Sequence, residues 1–570
     1  MSQLKKIFEV LNKKIKIELY FLFFIILIAV VLEVLGIGLL IPLFDIILNK
    51  NHAVINFISE RFNSSNLEIT VLLIFGIFYF FKTLFLSFLA YKKAFFSSKI
   101  QKFISENLYN SYIQQDYSQH QNNKSSEQIR NILQEAALFS QVVGAYLLLA
   151  TEFCVLFAII LFLLFYNFKV TIIIFLSTSL VSIIIFYIPS KRLKFWGKQR
   201  QFHDNKKVKF IQDAFGSFKE IKILSLENFF LNNYRPHNTK SADVVAKNVF
   251  VGQLPRLFLE FFGVFCICGF TILLLFLKKD YSEILPLIVI YSAAGIRLLP
   301  SFTKLIAGLQ KIKFSSVVID LIYDEIKKYK SYETKINLKK NIQFNNCIEV
   351  SNLSFAYSKT NKKILNNINF NIKFGDTVGV IGESGSGKST LVNIITGLSL
   401  PTEGEIIVDG ININNNLKSW YKNIGYVPQN IYLSDDTIKN NIAYGKEPTE
   451  IDLSALNYAL EKSNLKKFIQ TLEKGLDTPV GELGNRISGG QKQRIGIARA
   501  LYVRPRFLIL DEATNALDKE TENKIIEELK ILQGSTTIMF ITHRHSTLSN
   551  CSKIFKLQNN VLSQEDTYNE

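Results

Sequence analysis

Gly382-Glu383-Ser384-Gly385-Ser386-Gly387-Lys388-Ser389-Thr390 follows a strand-like stretch, Ile372 to Ile381, and runs straight into an apolar helix that starts at Leu391. Strand, glycine-rich turn, Gly-Lys-Ser and helix together match the phosphate-binding loop of an α/β domain. The glycines let backbone N–H groups turn inward around phosphate oxygens, and the helix start adds the positive end of its dipole. Lys388 then suits the β- and γ-phosphates of a nucleotide, and the Ser389 hydroxyl suits Mg²⁺. A glycine-rich turn alone can be purely structural; Gly-Lys-Ser directly after a strand argues for phosphate.

Further along, Phe507-Leu508-Ile509-Leu510-Asp511-Glu512 reads as a buried parallel strand that ends in two carboxylates. The carboxyl ends of strands are where α/β sheets place their ligands. Asp511 suits Mg²⁺, and Glu512 suits polarising the water that attacks a γ-phosphate. Acidic residues at a strand end are common, so this pair gains its meaning from the loop that precedes it. Alternating short strands and helices fill 345–570, which predicts an α/β P-loop domain there.

Upstream, the chain changes character. It has 570 residues, 48% of them hydrophobic, with 48 Phe beside 66 Lys and Arg. Six stretches, near 19–44, 67–91, 138–165, 170–189, 255–277 and 283–306, are apolar over the roughly 20 residues a bilayer crossing needs. They predict an all-α, six-helix transmembrane domain over 17–310, with 1–16 as an amphipathic helix along the inner leaflet and 311–344 as a connector. No small-residue cleavage site follows the first apolar run, so no cleaved signal peptide is expected.

The net charge of +18 fits either a nucleic-acid binder or a membrane protein with basic cytoplasmic segments. Position decides. Segments 92–137 and 190–249 carry six and thirteen Lys/Arg, while 45–66, 166–169 and 278–282 carry five together. That bias places both long segments, the N terminus and the α/β domain in the cytoplasm, and argues against nucleic acid as a partner. Helical periodicity in the long segments (Phe210, Ile211, Ala214, Phe215, Phe218, Ile221) predicts that membrane helices continue into the cytoplasm. Cys154, Cys266, Cys268, Cys347 and Cys551 show no metal or disulfide spacing.

Ile487-Ser488-Gly489-Gly490-Gln491, some twenty residues before the acidic strand, resembles the signature loop of the ABC transporter ATPases, with Ile487 where that family usually has Leu. The resemblance covers 345–570. It implies that Tyr357 stacks on the adenine of ATP and that Gln429 senses Mg²⁺ and couples to the membrane domain. It further implies that Asn515-Ala516-Leu517-Asp518 crosses a dimer interface and that His543 contacts the γ-phosphate. In that family the P-loop of one subunit and Ser488, Gly489, Gly490 and Gln491 of the other sandwich ATP. With one copy of each motif here, a homodimer is the expected assembly.

Lys82, Arg256 and Arg297 lie within separate expected spans, where a charge is costly and therefore informative. Lys82 and Arg256 are near enough to span ends to snorkel, and Arg256 has Glu260 one turn on. Arg297, among apolar residues and followed by Pro300, is harder to explain away. A shared basic cavity for an anionic group is the sharper reading, since Glu260 cannot neutralise all three cations, while Glu33 and Glu152 suit structural pairing. Leu254-Pro255-Arg256-Leu257-Phe258-Leu259-Glu260 and Ile296-Arg297-Leu298-Leu299-Pro300-Ser301 resemble the bacterial flippases that move lipid-linked oligosaccharides for protein N-glycosylation. That resemblance implies an anionic lipid-linked substrate, a polyprenyl-pyrophosphate glycan, within membrane lipid. Export of another amphiphile (lipid A, a peptide or a drug) and an ATP-gated membrane regulator are the alternatives.

Overall fold

The computed structural model describes residues 2–39, 67–166, 168–276, 281–333, 341–357, 363–542 and 544–565. The chain divides into two compact units, 1–115 with 120–332 and 333–570 with 116–119.

Seven helices build most of the first unit: α1 (Gln3–Val10), α2 (Lys13–Gly38), α3 (Leu67–Ile113), α4 (Ala136–Tyr166), α5 (Phe168–Gly216), α6 (Glu227–Phe276) and α7 (Tyr281–Glu333). Among the described residues, five helices are long and apolar enough to cross a membrane. The sixth expected span falls within α7. The expected segment 45–66 between the first two spans, and the end of span 19–44, lie outside the described residues. At 1.5 Å per residue, the 49 residues of α5 extend about 70 Å, far beyond a hydrocarbon core of about 30 Å. The helices thus run on past the bilayer, as the periodicity after residue 190 leads one to expect. Gly197 lets α5 meet α7 closely, because a Cβ there would sit 2.0 Å from the Phe314 carbonyl oxygen.

The N-terminal segment corrects its sequence reading. Helix α1 ends at Val10, and Ile7, Val10 and Leu11 are buried in a protein core that includes Val318, Ile319 and Ile322 of α7. Lys6 Nζ lies 2.5 Å from Asp320 Oδ1 and the Tyr323 hydroxyl 3.0 Å from Glu9 Oε2, so protein rather than the inner leaflet takes up this amphipathic face.

The second unit holds two sheets. One is antiparallel, in the order β2 (Lys363–Lys373), β1 (Cys347–Ala356), β4 (Glu403–Val408), β5 (Ile411–Asn412). The other runs β10 (Val561–Glu565), β9 (Lys553–Gln558), β3 (Thr377–Ile381), β8 (Thr537–Ile541), β7 (Phe507–Asp511), β6 (Ile424–Val427). From β9 to β6 its strands are parallel. Every residue of β3, β7 and β8 is buried, as strands covered on both faces must be. Parallel order brings the carboxyl ends of β3, β8 and β7 to one edge, and the site grows there.

Candidate active site

Register sets the first distances. Val380 of β3 and Asp511 of β7 are both aligned with Ile541 of β8, so the loop that opens at Gly382 and the two carboxylates emerge side by side. The loop needs its glycines: Gly387 has φ +107° and caps helix α8 (Lys388–Ile395), and a Cβ on Gly382 would lie 2.5 Å from the Leu557 carbonyl oxygen. Gly385 is also left-handed, with open space where a Cβ would be. Lys388 Nζ donates to the carbonyls of Gly382 (2.5 Å) and Glu383 (3.0 Å), which ties the ammonium to the rim of the turn. Ser384 and Ser389 are exposed, while Ser386 Oγ is buried without a hydrogen-bond partner. The Tyr357 hydroxyl is 3.4 Å from Thr390 Oγ1, and its ring stands edge-on to Phe355.

Electrostatics reflect two adjacent carboxylates with one buried cation. Burial, then the Glu512 charge, push the Asp511 carboxyl above its ordinary range; the Tyr426 hydroxyl, 3.4 Å away, and Lys388 oppose this. Burial lowers Lys388 against the pull of Glu512 and Asp511, and burial raises the Tyr426 phenol. Such a site has room for further positive charge. A buried unsatisfied serine hydroxyl, a glycine cradle and a carboxylate held in a costly environment are what a metal-nucleotide would satisfy.

Glu512 sits directly after β7 with φ +49°, a left-handed value for a non-glycine residue, held by its N–H donating to the Ile541 carbonyl. Its Oε2 accepts from Gln429 Nε2 (2.7 Å) and Asn515 Nδ2 (2.9 Å). Asp511, Glu512, Gln429 and Asn515 are therefore brought together. His543 lies outside the described residues.

Ser488 caps helix α9 (Gly489–Tyr502) in a reciprocal capping box with Gln491, so the Gln491 carboxamide is engaged within its own turn. Ser488 and Gly489 are exposed. Among the described residues no hydrogen bond joins 488–491 to 382–390 of the same chain. Gln493 Oε1 accepts from the Ala516 N–H at 2.9 Å, which pins the Asn515–Asp518 loop to α9. Sequence reasoning passed over Gln493, and over Glu522 on helix α10 (Lys519–Lys530). The Glu522 carboxylate, 1% exposed, accepts from Thr514 Oγ1 at 3.0 Å and pairs with Arg544, whose guanidinium also donates to the Asn515 carbonyl at 2.9 Å.

The membrane cations depart from the sequence reading. Lys82 Nζ is 2.9 Å from Glu33 Oε2, and Arg297 Nη2 is 2.8 Å from Glu33 Oε1, with Glu152 4.0 Å from the other Nη. Gly36 makes room for the Lys82 ammonium, since a Cβ there would lie 2.8 Å from it. Arg256 is exposed and pairs with Glu260 one turn away at 2.7 Å. Lys82 and Arg297 thus share one carboxylate, Arg256 pairs separately with Glu260, and Glu33 and Glu152 supply part of the compensating charge. Sequence reasoning also passed over Lys304, 2.8 Å from Glu152, and Lys93, 2.7 Å from Thr151 Oγ1.

Two family models match the chain, the ABC transporter transmembrane region over 19–286 and the ABC transporter domain over 365–515. The chain belongs to the ABC transporters, as a membrane-spanning region followed by an ATPase domain on one polypeptide. It is a multi-pass membrane exporter that binds and hydrolyses ATP. The ATP-dependent lipid A-core flippase of Ralstonia nicotianae is 25% identical over 83% of this chain and 80% of its own length. ABC transporter B family member 21 of Arabidopsis thaliana is 40% identical over 39% of this chain and 17% of its own. A bacterial Atm1-family ABC exporter with ATP bound has the same fold, with a TM-score of 0.78 over 95% of both chains at 22% identity.

Proposed function

We propose that two copies of this chain form a homodimeric flippase that moves an amphiphile with a phosphate-bearing head across the inner membrane, foremost a polyprenyl-pyrophosphate-linked oligosaccharide. One observation carries the reading. Inside the membrane unit Lys82, Lys93, Arg297 and Lys304 gather around only two carboxylates, Glu33 and Glu152, among the described residues, and the buried Arg297 Nε has no hydrogen-bond partner. Cations in excess of their carboxylates are costly within a membrane, and a doubly anionic head offers charge-assisted bonds to arginine's planar fork.

In the ATPase domain Ser389, Gln429 and Asp511 would hold Mg²⁺, which would neutralise phosphate charge on ATP. Lys388 and the backbone of 382–390 bind phosphate, and Tyr357 supports the base. Glu512 takes the proton side of water attack, with His543 beside the γ-phosphate. Ser488, Gly489, Gly490 and Gln491 of each copy complete the partner's site, in keeping with the exposure of Ser488 and Gly489 and with the lack of a hydrogen bond to their own phosphate loop among the described residues.

The test is reconstitution into proteoliposomes with flipping and ATPase measured on the same preparation. A polyprenyl-pyrophosphate glycan should be flipped and should stimulate ATP hydrolysis, and Arg297→Ala should lose both effects while basal ATPase persists. Equal stimulation by an uncharged drug, or full flipping in the variant, overturns the proposal. Lipid A-core is the second reading, favoured by the Ralstonia nicotianae relative; it predicts stimulation by lipid A-core and none by the glycan.

A further inference from the structure

Helices α5 and α6 pack along one another, and between them runs a groove with a chemical gradient. Val181, Ile184 and Ile188 of α5 and Phe258 of α6 line its apolar part, and Arg192 and Trp196 line its other end. On α5 these positions recur at helical spacing, so they form one stripe. Val181 and Arg192 are separated by eleven residues, about 16 Å of helix, against about 15 Å for one leaflet of a 30 Å hydrocarbon core. The positive-inside bias puts Arg192 and Trp196 at the cytoplasmic headgroup level, the depth that tryptophan and arginine favour.

Two prolines shape the groove. Pro189 of α5 lines it, and Pro255 lies next to Leu254 on its α6 wall. Each removes one backbone hydrogen bond, to the carbonyls of Ile185 and Val251 in turn. Below this point Leu193, Val244, Val251 and Phe314 close the helices into a buried cluster, so the groove has a floor on its cytoplasmic side. Arg192 is exposed at that end, and no salt bridge engages it among the described residues.

We propose that this groove is a binding site for one anionic phospholipid of the cytoplasmic leaflet. Its phosphate rests on Arg192, its glycerol edge lies against Trp196, and one acyl chain lies along Ile188, Ile184 and Val181. Charge complementarity selects an anionic over a zwitterionic headgroup, and the leaflet-deep apolar stripe selects a lipid over a free anion. The site does not rest on which amphiphile the protein exports.

The chain carries its own reporter. It has two tryptophans, and the other, Trp420, is 0% exposed within the ATPase domain. The full-length protein is reconstituted in phosphatidylcholine vesicles doped with acyl-chain-brominated phosphatidylglycerol or, separately, brominated phosphatidylcholine at the same low mole fraction. Trp196→Phe supplies the baseline. Trp196 fluorescence should be quenched preferentially by the anionic lipid. Arg192→Gln should lower that preference about fivefold, the factor expected for one basic residue at an anionic surface, and Arg192→Lys should keep most of it. Equal quenching by both lipids overturns the proposal, as does a preference unchanged in Arg192→Gln. Failure of either lipid to quench Trp196 means that protein covers the groove, and overturns it as well.

Discussion

Replacing Glu33 by Gln tests what holds the membrane cations. Glu33 is 7% exposed and pairs at once with Lys82 and Arg297. Removing one member of a buried ion pair typically costs about 3–5 kcal/mol, because the remaining charge is left desolvated. Arg297 keeps a quarter of its side-chain surface exposed, so screening trims its share, and Lys82 retains the Tyr79 ring 4.7 Å away; the lower end, about 3 kcal/mol, is the expectation. Arg297→Met alone should also destabilise, since Glu33 then faces Lys82 only. The double variant should lose less than the two singles together, with a coupling energy of about 1–3 kcal/mol. Unfolding free energies of all four proteins, from SDS titration in mixed micelles, supply the cycle. Additivity within about 0.5 kcal/mol would refute the pairing and return Arg297 to a role set by ligand alone.

Glu512→Gln should bind ATP normally yet hydrolyse it at least 100-fold more slowly, the scale of a lost general base; near-normal steady-state turnover removes Glu512 from that role. Glu522→Gln should lower kcat for ATP about tenfold with KM little changed, because it loosens the loops around Glu512 without touching phosphate contacts; a KM change with constant kcat contradicts this. Gly197→Ala places a methyl 2.0 Å from the Phe314 carbonyl oxygen, a contact with backbone that no rotamer relieves, and should destabilise by about 1–3 kcal/mol or prevent folding; wild-type unfolding would show that α5 and α7 can part freely. Burial pushes the Cys551 thiol up to about 12, so at pH 8 it should resist maleimide until the chain is unfolded in SDS; rapid labelling of the native protein contradicts the burial.

Local chemistry made the fold readable. Gly-Lys-Ser after a strand, carboxylates at a strand end and long apolar runs each carry their meaning within about twenty residues. Partnerships across the bundle do not. That Glu33 and Arg297 sit in apolar helices is visible in the chain, but their meeting joins positions 264 residues apart and depends on which helix faces turn inward. The same limit explains the N terminus: periodicity reveals that α1 has an apolar face, and says nothing on whether lipid or the residues around Val318 cover it. The Arg256–Glu260 pair is the opposite case, since its two members are one turn apart and the pairing is legible in the chain.

The residues around Glu512 show what sequence motifs leave unsaid. Both amide donors, from Gln429 and Asn515, fall on Oε2, and Oε1 accepts no hydrogen bond among the described residues. A carboxylate engaged this way is fixed in orientation with one oxygen left for water. The Asn515 amide ties the Asn515–Asp518 loop directly to the Glu512 carboxylate. That loop is tied a second time, through the Asn515 carbonyl to Arg544 and on to the buried Glu522, which also holds Thr514. Arg544 follows His543 directly. Displacing the Asn515–Asp518 loop therefore cannot leave either Glu512 or the segment after β8 undisturbed. If a partner subunit moves that loop on docking, the Glu512 carboxylate feels the displacement through its bond to Asn515.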